Sequence, residues 1–263
     1  PDHALLINLS RDHIDWHKNE SNYQKSKFRI FLNQNRGDFA YLENKLLIKE
    51  FIKQKYKSKL IHVKQNDLKK LKNKILIEYF KNEANYQNLR FAFKISKRLK
   101  ISDTNFLKTI NNFKPLKHRG EIFMKKKGFL FVNDSKATSF DSARNSLSNF
   151  KNIYWILGGI PKSGEKINLE KYRGSIKKIY LIGKNIKFYK KKIKRISKFQ
   201  VSKTISNAIL DISRDIKKEK KKLIRTILLC PAGSSYDQFN NFENRGNFFK
   251  NKIKSYVKKK YFW

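Results

Sequence analysis

Four side chains that could do chemistry lie close together in the middle of the chain. Asp134, Ser135, Lys136 and Thr138 supply a carboxylate, an amine and two hydroxyls, after an apolar run and before a stretch with helix-like spacing. In open α/β sheets, ligand-binding groups collect where strands end and helices begin. The pattern therefore predicts a ligand site at this junction or, as the simpler alternative, that Asp134 or Ser135 only caps the following helix.

The elements that would position these groups alternate between strands and helices. The periodicity of apolar residues predicts strands over 4–9, 39–42, 60–63, 75–79, 121–124, 129–132, 153–157, 178–182 and 226–229. It predicts helices over 21–32, 43–56, 84–99, 104–113, 141–150, 186–193, 205–216 and 239–253. Ser21 and Asp103 are the predicted caps of two of these helices. This alternation is typical of a mainly parallel sheet covered on both faces, so the predicted fold class is α/β.

The predicted boundary between two domains lies at 113–117. Pro115 disfavours helix at the residue before it, and the pattern of elements changes beyond it. The predicted domains are 1–116 and 117–263, and each is long enough to bury a core of its own. The chain begins at Pro1, almost on a strand-like run, so we expect that the sequence is truncated upstream.

Composition alone suggests a binder of polyanions. The chain has 62 Lys and Arg against 21 Asp and Glu, a formal net charge of +41 and a pI near 10.2. However, the lysines are spread through nearly every segment, and no motif of a known nucleic-acid module accompanies them. The chain is also rich in Asn, Ile, Phe and Tyr, which indicates a general bias in residue usage. We therefore expect salt-dependent, non-specific adhesion to nucleic acid and no specific nucleic-acid partner.

Cysteine usage and hydropathy indicate the compartment. The single cysteine, Cys230, excludes an internal disulfide and fits a reducing environment, where it would be a small buried residue. No apolar stretch approaches the roughly 18 residues that a membrane-spanning helix needs, and the chain does not open on a signal peptide. We expect a soluble, cytoplasmic monomer without membrane insertion.

Five sequence blocks, in a fixed order, carry a family resemblance. They read Asn-Leu-Ser-Arg-Asp-His-Ile-Asp at 8–15, His-Arg-Gly-Glu at 118–121, Asn-Asp-Ser-Lys-Ala-Thr at 133–138, Gly-Gly-Ile-Pro-Lys-Ser at 158–163, and Pro-Ala-Gly-Ser-Ser-Tyr-Asp-Gln-Phe-Asn-Asn-Phe-Glu-Asn-Arg-Gly at 231–246. Together they resemble the Mur ligases, and most closely the D-glutamate-adding members of that family. The resemblance implies that 1–116 form the later portion of the central ATPase-type domain and 117–263 the Rossmann-like C-terminal ligase domain.

The resemblance also implies a reaction and its partners. Mur ligases of this branch use ATP and Mg²⁺ to join D-glutamate to UDP-N-acetylmuramoyl-L-alanine through an acyl phosphate, in the synthesis of peptidoglycan precursors. The phosphate loop of the family lies upstream of the equivalent of Pro1, and no segment here reads Gly-x-x-x-x-Gly-Lys-Ser/Thr. We therefore expect the isolated chain to be inactive.

Matching positions to the family motifs implies roles for individual residues. His13 would be a metal ligand, and Lys27 would carry a carbamate that helps to hold a second Mg²⁺, because Mg²⁺ prefers oxygen ligands. The implied ATP contacts are Asn85, Asn88, Arg119, Asp134 and Lys136. The implied D-glutamate contacts are Thr138, Lys162, Ser235 and Phe242.

Some of these assignments have simpler alternatives in the sequence. Without the resemblance, His13 is a turn histidine and Lys27 a solvated helix lysine. The family pattern before the two asparagines contains a glycine and a histidine, which are Asn82 and Ala84 here, and this departure weakens the adenine assignment. At the level of the whole chain, an inactive folded remnant of the ligase and a basic polyanion-binding module are the alternative hypotheses.

Overall fold

The computed structural model describes residues 1–9, 14–162, 169–219 and 224–262, with the backbone alone at residue 15. The chain divides into two compact units, Pro1–Lys114 and Pro115–Trp263. No helix within the described ranges combines the length and the apolar character that crossing a bilayer requires. His13, the predicted metal ligand, and residues 163–168, beyond Lys162, lie outside the described residues.

In the described part of the first unit, three parallel strands form one sheet in the order β1-β2-β3. These strands are β1 His3–Leu6, β2 Phe39–Leu42 and β3 Lys59–His62. The helices of this unit are α1 Ile14–His17, α2 Glu20–Phe28, α3 Lys45–Lys53, α4 Glu83–Arg98 and α5 Asp103–Asn111, with 3₁₀ turns at Arg29–Phe31, Lys69–Lys74 and Glu78–Lys81. Because the strands are parallel, their carboxyl ends lie at one edge of the sheet.

Three apolar clusters are found in the described part of the first unit, the smallest of them made of Tyr41, Val63 and Phe91. Phe31, Leu42 and Phe51 belong to the cluster under the sheet, where the rings of Phe31 and Phe51 meet edge to face at 5.2 Å. Phe93 and Phe106 join α4 to α5 in the second cluster, with ring centroids 5.1 Å apart. Such aromatic contacts add to the free energy gained by removing apolar area from water.

The structure corrects three local predictions in this unit. The cap of α2 is Asn19 and not Ser21, and the cap of α5 is Ser102 and not Asp103. The predicted strand over 75–79 is absent among the described residues, where two 3₁₀ turns flank an extended link. The amide of Asn111 accepts from Leu76 N at 2.9 Å and donates to the carbonyl of Lys74 at 3.0 Å. A side chain therefore provides the backbone hydrogen bonds that a neighbouring strand would have supplied.

In the described part of the second unit, six strands form one sheet in the order β4-β5-β9-β6-β7-β8. The strands are β4 Glu121–Lys126, β5 Phe129–Asn133, β6 Ile153–Gly158, β7 Ile176–Ile182, β8 Phe199–Lys203 and β9 Arg225–Leu229. The helices are α6 Phe140–Asn149, α7 Ile186–Ile193, α8 Ile205–Lys217 and α9 Phe242–Lys258, with a 3₁₀ turn at Glu170–Ser175. Only β4 runs antiparallel to its neighbour among these strands.

Two elements of this unit differ from the sequence prediction. The edge strand β8 was not predicted, because it is only five residues long, three of them are polar, and its two apolar residues, Phe199 and Val201, are not buried. Helix α9 begins at Phe242 and not at 239, because the Asn241 side chain accepts from the backbone N–H of Asn244 at 2.7 Å and caps the helix there.

The insertion of β9 between β5 and β6 creates a switch point in the strand order. The chain leaves β5, crosses to β6 through α6, and returns later as β9 between the two. The loops after β5, β6 and β9 therefore open at one edge of the sheet, where α/β proteins bind ligands. Apolar clusters cover both faces, with Trp155 and Leu228 on one and Phe249 and Ile227 on the other.

Because β9 lies in the middle of the sheet, replacing one of its buried side chains with a smaller one should destabilise the fold. Ile227 is fully buried, whereas Ile224, just before the strand, is 63% exposed. We expect Ile227→Ala to lower the free energy of unfolding by about 2–5 kcal/mol, as measured by urea denaturation. The matched Ile224→Ala should stay within about 0.5 kcal/mol of the wild type, and equal losses in the two variants would contradict this packing.

Candidate functional site

The carboxylate at the centre of the predicted site is buried at the end of β5. Asp134 Oδ1 accepts from Gly120 N at 3.0 Å, and its Oδ2 accepts from the Ser146 hydroxyl at 2.5 Å. The Cys230 thiol lies 3.5 Å from the same Oδ2. Burial raises the pKa of Asp134, although these donors act in the opposite direction. The Asp134 carboxylate thus ties the loop after β5 to α6 and to the loop before β4.

A second polar cluster joins β4, β5 and α9. The Asn133 amide bonds to His118 Nδ1 at 2.8 Å and donates to Glu121 Oε2 at 3.0 Å. Glu121 also accepts from His118 N at 2.9 Å and from Lys250 Nζ at 3.0 Å. Burial and the nearby charge of Lys250 lower the pKa of His118. Because the Asn133 amide donates to Nδ1, His118 is held as the neutral tautomer with its proton on Nε2.

The guanidinium of Arg245 connects the loop after β5 to the loop after β9. It donates from Nε to Ser135 Oγ at 3.0 Å, from Nη2 to Ser135 O at 2.8 Å and from Nη1 to Gly233 O at 3.0 Å. Arg245 is 1% exposed, and none of the described carboxylates forms an ion pair with it. Burial lowers the pKa of Arg245 to about 10. This group therefore fixes the loops after β5 and β9 relative to each other.

Two glycines permit close packing at this edge, one against backbone and one against a side chain. Gly159 has a φ of +125°, and a Cβ there would lie 2.3 Å from Ser234 O. Beside it, Ile160 and Ser234 exchange backbone hydrogen bonds of 3.0 and 2.8 Å, which joins the loop after β6 to the loop after β9. Gly246 lies against the imidazole, since a Cβ there would meet His118 Nδ1 at 2.2 Å. A larger residue at 159 would push the two loops apart, and a larger residue at 246 would displace the His118 imidazole.

The second unit brings several of the predicted contact residues to this edge. Lys136 Nζ lies 3.9 Å from the ring centroid of Phe242, and the Phe242 carbonyl accepts from the Ser135 hydroxyl at 2.8 Å. Thr138 is half-buried in the same loop, and Ser235 is buried in the loop after β9. Exposed Arg119 precedes Gly120, and half-buried Lys162 follows the bridge at Ile160. The roles of these residues in binding stay predictions.

The predicted residues of the first unit have different surroundings. Lys27 is exposed on α2, with Nζ 5.1 Å from the ring centroid of Tyr23. Asn85 is half-buried and donates to Tyr79 O at 3.0 Å, whereas Asn88 is exposed. Within the described ranges, no three His, Cys, Asp or Glu side chains cluster as metal ligands. The carbamate expected on Lys27 would supply the oxygen atoms that Mg²⁺ prefers, and this role stays a prediction.

Sequence reasoning assigned no role to Arg245, Asn133 or Lys250. A signal for Arg245 was present, because it precedes Phe249 by four positions and Ile253 by eight and so falls on the apolar stripe of α9. A charged residue on an apolar stripe indicates a buried, hydrogen-bonded group. Lys250 carried no such signal in a chain with 62 basic residues.

Comparison with known proteins shows which enzymes the chain resembles. Residues 1–107 match the Mur ligase middle domain. The chain is similar to the UDP-N-acetylmuramoylalanine–D-glutamate ligase of Rickettsia felis, at 30% identity over 94% of this chain and 59% of that protein. It is equally similar to the enzyme of that name from Caulobacter vibrioides, at 30% identity over 95% of this chain and 58% of that protein. The chain thus spans about three-fifths of the length of these relatives.

Solved structures agree on the fold. The MurF ligase from Thermotoga maritima in complex with ADP superposes with a TM-score of 0.65 at 13% identity, over 97% of this chain and 63% of that one. The UDP-N-acetylmuramate-alanine ligase MurC from the same organism gives a TM-score of 0.58 at 12% identity, over 97% and 60%. These likenesses confirm the predicted α/β fold class, and the sequence matches confirm the predicted resemblance. Residues 1–107 are therefore similar to the Mur ligase middle domain, and the chain resembles the Mur ligases over most of its length.

Proposed function

We propose that this chain is the later part of an ATP-dependent ligase that adds D-glutamate to UDP-N-acetylmuramoyl-L-alanine. The observation that carries the proposal is the convergence of the loops after β5, β6 and β9, which hold Lys136, Thr138, Lys162 and Ser235, in a chain similar to enzymes named for that reaction. The chain contains no phosphate loop, so the isolated chain would neither hydrolyse ATP nor form the amide.

In the proposed reaction, a carboxylate oxygen of UDP-N-acetylmuramoyl-L-alanine attacks the γ-phosphorus of ATP and releases ADP. The D-glutamate amine then attacks the carbonyl carbon of the acyl phosphate, loses a proton and expels inorganic phosphate, so that an amide forms. Mg²⁺ held with the help of the Lys27 carbamate and His13 would neutralise negative charge on the phosphates. The second of these steps requires that the D-glutamate amine is held close to the carbonyl carbon of the acyl phosphate.

The residues of the second unit would bind D-glutamate and the phosphates of ATP. Lys162 would pair with a carboxylate of D-glutamate, while Thr138, Ser235 and Phe242 would form the rest of that pocket. Arg119 and Lys136 would face the phosphates or the incoming carboxylate, because cations bind such groups by charge-assisted hydrogen bonds. Asn85 and Asn88 would contact the adenine.

The role of Asp134 needs separate treatment. Its predicted contact with the ATP ribose stays a prediction, because each oxygen already accepts a hydrogen bond from within the protein, from Gly120 and from Ser146. A carboxylate oxygen has two lone pairs and can accept a second donor. Such a contact would have to reach a side chain that is 7% exposed.

The assignment of Lys162 can be tested in the complete ligase, with its N-terminal part joined to this chain. Lys162→Ala removes a charged hydrogen bond to D-glutamate, which typically contributes about 1.5–3 kcal/mol. We expect a roughly tenfold to hundredfold rise in the KM for D-glutamate, with the KM for ATP little changed. Exposed Lys184, after the neighbouring strand β7, is the matched control, and Lys184→Ala should leave both constants unchanged. An unchanged D-glutamate KM in Lys162→Ala would refute the assignment.

The carbamate on Lys27 predicts a chemical rescue. Lys27→Ala would remove an oxygen donor from the metal and nearly abolish amide formation, and added acetate should restore part of the activity because a small carboxylate supplies a similar oxygen. Lys25→Ala, on the same exposed helix, should have no effect and Lys162→Ala should not respond to acetate. Full activity of Lys27→Ala would exclude the carbamate, and a dead variant that acetate does not rescue would count against it.

A second candidate function is the binding of a polyanion, which a basic groove on the second unit favours. The groove, of about 700 Å³, is lined by Arg173, Lys178, Lys194, Arg195 and Lys198 over the apolar side chains of Ile176, Ile196 and Phe199. It lies where β7 and β8 begin, at the edge of the sheet opposite the candidate site. Cations beside an aromatic ring suit single-stranded nucleic acid, which combines phosphates with stacking bases.

Charge reversal tests whether nucleic acid binds in the groove or only responds to the high net charge of the chain. We expect Lys194→Glu/Arg195→Glu/Lys198→Glu to weaken binding of a labelled oligouridine of about 16 nucleotides by at least about tenfold, as measured by fluorescence anisotropy at several salt concentrations. The same change in net charge at the β4–β5 turn, Lys125→Glu/Lys126→Glu/Lys127→Glu, is the control. Equal losses in the two variants would show that the groove has no special role.

A further inference from the structure

A buried arginine lies on the helix that carries the predicted adenine contacts. Arg90 of α4 is 3% exposed, and its Nε and Nη2 donate to Glu43 Oε1 at 2.9 and 2.7 Å. Its Nη1 donates to Glu83 Oε1 at 3.0 Å. The ring centroid of Tyr86 lies 5.5 Å from the guanidinium carbon. The charge is thus fully paired, although it lies inside the first unit.

The ion pair is one link in a continuous polar chain. Gln87, on the same face of α4 as Arg90, donates to the other oxygen of Glu43, and its own carbonyl accepts from Asn8 Nδ2 at 3.3 Å. Glu43 directly follows β2, and Asn8 lies two residues beyond β1. The side chains of α4 are therefore bonded to the carboxyl ends of two neighbouring parallel strands, which is the ligand-binding edge of such sheets.

The helix does not need this arginine for its packing. Leu89 and Phe93 of α4 already pack against α5, and Asn82 caps the helix by accepting from Ala84 N at 2.8 Å. A well-packed apolar residue at position 90 would avoid the cost of removing a charge from water, since buried ion pairs often contribute little net stability. What the pair adds is a directional attachment of α4, because two N–H groups of one planar guanidinium converge on a single oxygen of Glu43.

We propose that Arg90 and Glu43 are positioning residues that fix the rotation and height of α4 relative to the ends of β1 and β2. Gln87 and Arg90 face the strand ends, and Asn85 and Asn88 lie on the opposite face of the same helix, three positions apart. Fixing the face that carries Gln87 and Arg90 therefore also fixes the direction in which Asn85 and Asn88 project. This inference rests on the proposed function, because it gives Asn85 and Asn88 an adenine nucleotide to contact.

The test compares charge removal at two places on the same helix in the complete ligase. Arg90→Met removes the guanidinium at similar length, and the double variant Glu43→Gln/Arg90→Met avoids leaving a buried carboxylate unpaired, in case the single variant does not fold. Lys94→Met is the control, because it breaks the pair between Lys94 and Asp67, one turn further along α4, with an N–O distance of 3.0 Å. The readouts are the KM for ATP, the KM for D-glutamate and the melting temperature.

We expect the double variant to raise the KM for ATP by about tenfold, because small misplacements of binding groups have effects of that size or more. The KM for D-glutamate should stay within about twofold of the wild-type value. Arg90→Lys should give an intermediate KM for ATP, because it keeps the charge but loses the planar guanidinium with its paired N–H donors. The control Lys94→Met should leave the KM for ATP unchanged even if it lowers the melting temperature. A KM for ATP like that of the wild type in the folded double variant would overturn the proposal.

Amide hydrogen exchange on the chain 1–263 tests the attachment of α4 without requiring any enzymatic activity. The double variant should speed exchange of the amides of residues 86–89 by about tenfold or more relative to Lys94→Met, because the start of α4 has lost its attachment. Equal exchange in the two variants would overturn the attachment itself. A wild-type ligase that shows no D-glutamate-dependent consumption of ATP would instead contradict the proposed function and leave the exchange result to decide the role of Arg90.

Discussion

The candidate site of the second unit depends on the hydrogen bonds of one buried cation. Arg245 donates to both the hydroxyl and the carbonyl of Ser135 and to the carbonyl of Gly233, so it joins the loop after β5 to the loop after β9. Its partners are neutral oxygens, and burial lowers its pKa to about 10. A guanidinium in such a place must be held by directional bonds, since its desolvation is not offset by a paired carboxylate. The loops it holds are therefore fixed in relation to each other.

Around this cation, neighbouring polar groups form a shell that keeps the loops in place without occupying their outer surface. Asp134 is tied to Gly120 and Ser146, and the Asn133 amide joins His118 to Glu121. Because these buried groups are satisfied internally, the groups left for a ligand are the half-buried ones, such as Lys136 and Thr138. A rigid inner layer under adaptable outer groups is the arrangement that precise binding of a small anion requires.

Much of the fold could be predicted from the sequence, because buried parallel strands such as β6 and β7 are continuous apolar runs and α7 has a clear helical period. The errors lie where side chains replace backbone partners or where a short strand at the edge of the sheet buries no apolar side chain. Asn111 supplies the hydrogen bonds that a strand at 75–79 would have needed, and β8 is an edge strand of mainly polar residues. The loop residues were found from motifs. The place of Arg245 on the apolar stripe of α9 signals a buried group, but its partner Ser135 lies 110 residues away in the sequence and could not be identified from that stripe.

The measurement that tests the central claim most directly is the titration of D-glutamate and L-glutamate into the chain 1–263 by calorimetry. An ionic strength of about 0.15 M screens non-specific attraction to the basic surface. Because the two enantiomers carry the same charges, a difference between them reports a built pocket and not the net charge of +41. The account predicts that D-glutamate binds at least about tenfold more tightly than L-glutamate, a difference of about 1.4 kcal/mol. Equal affinity for the two, or no binding of either, would contradict it.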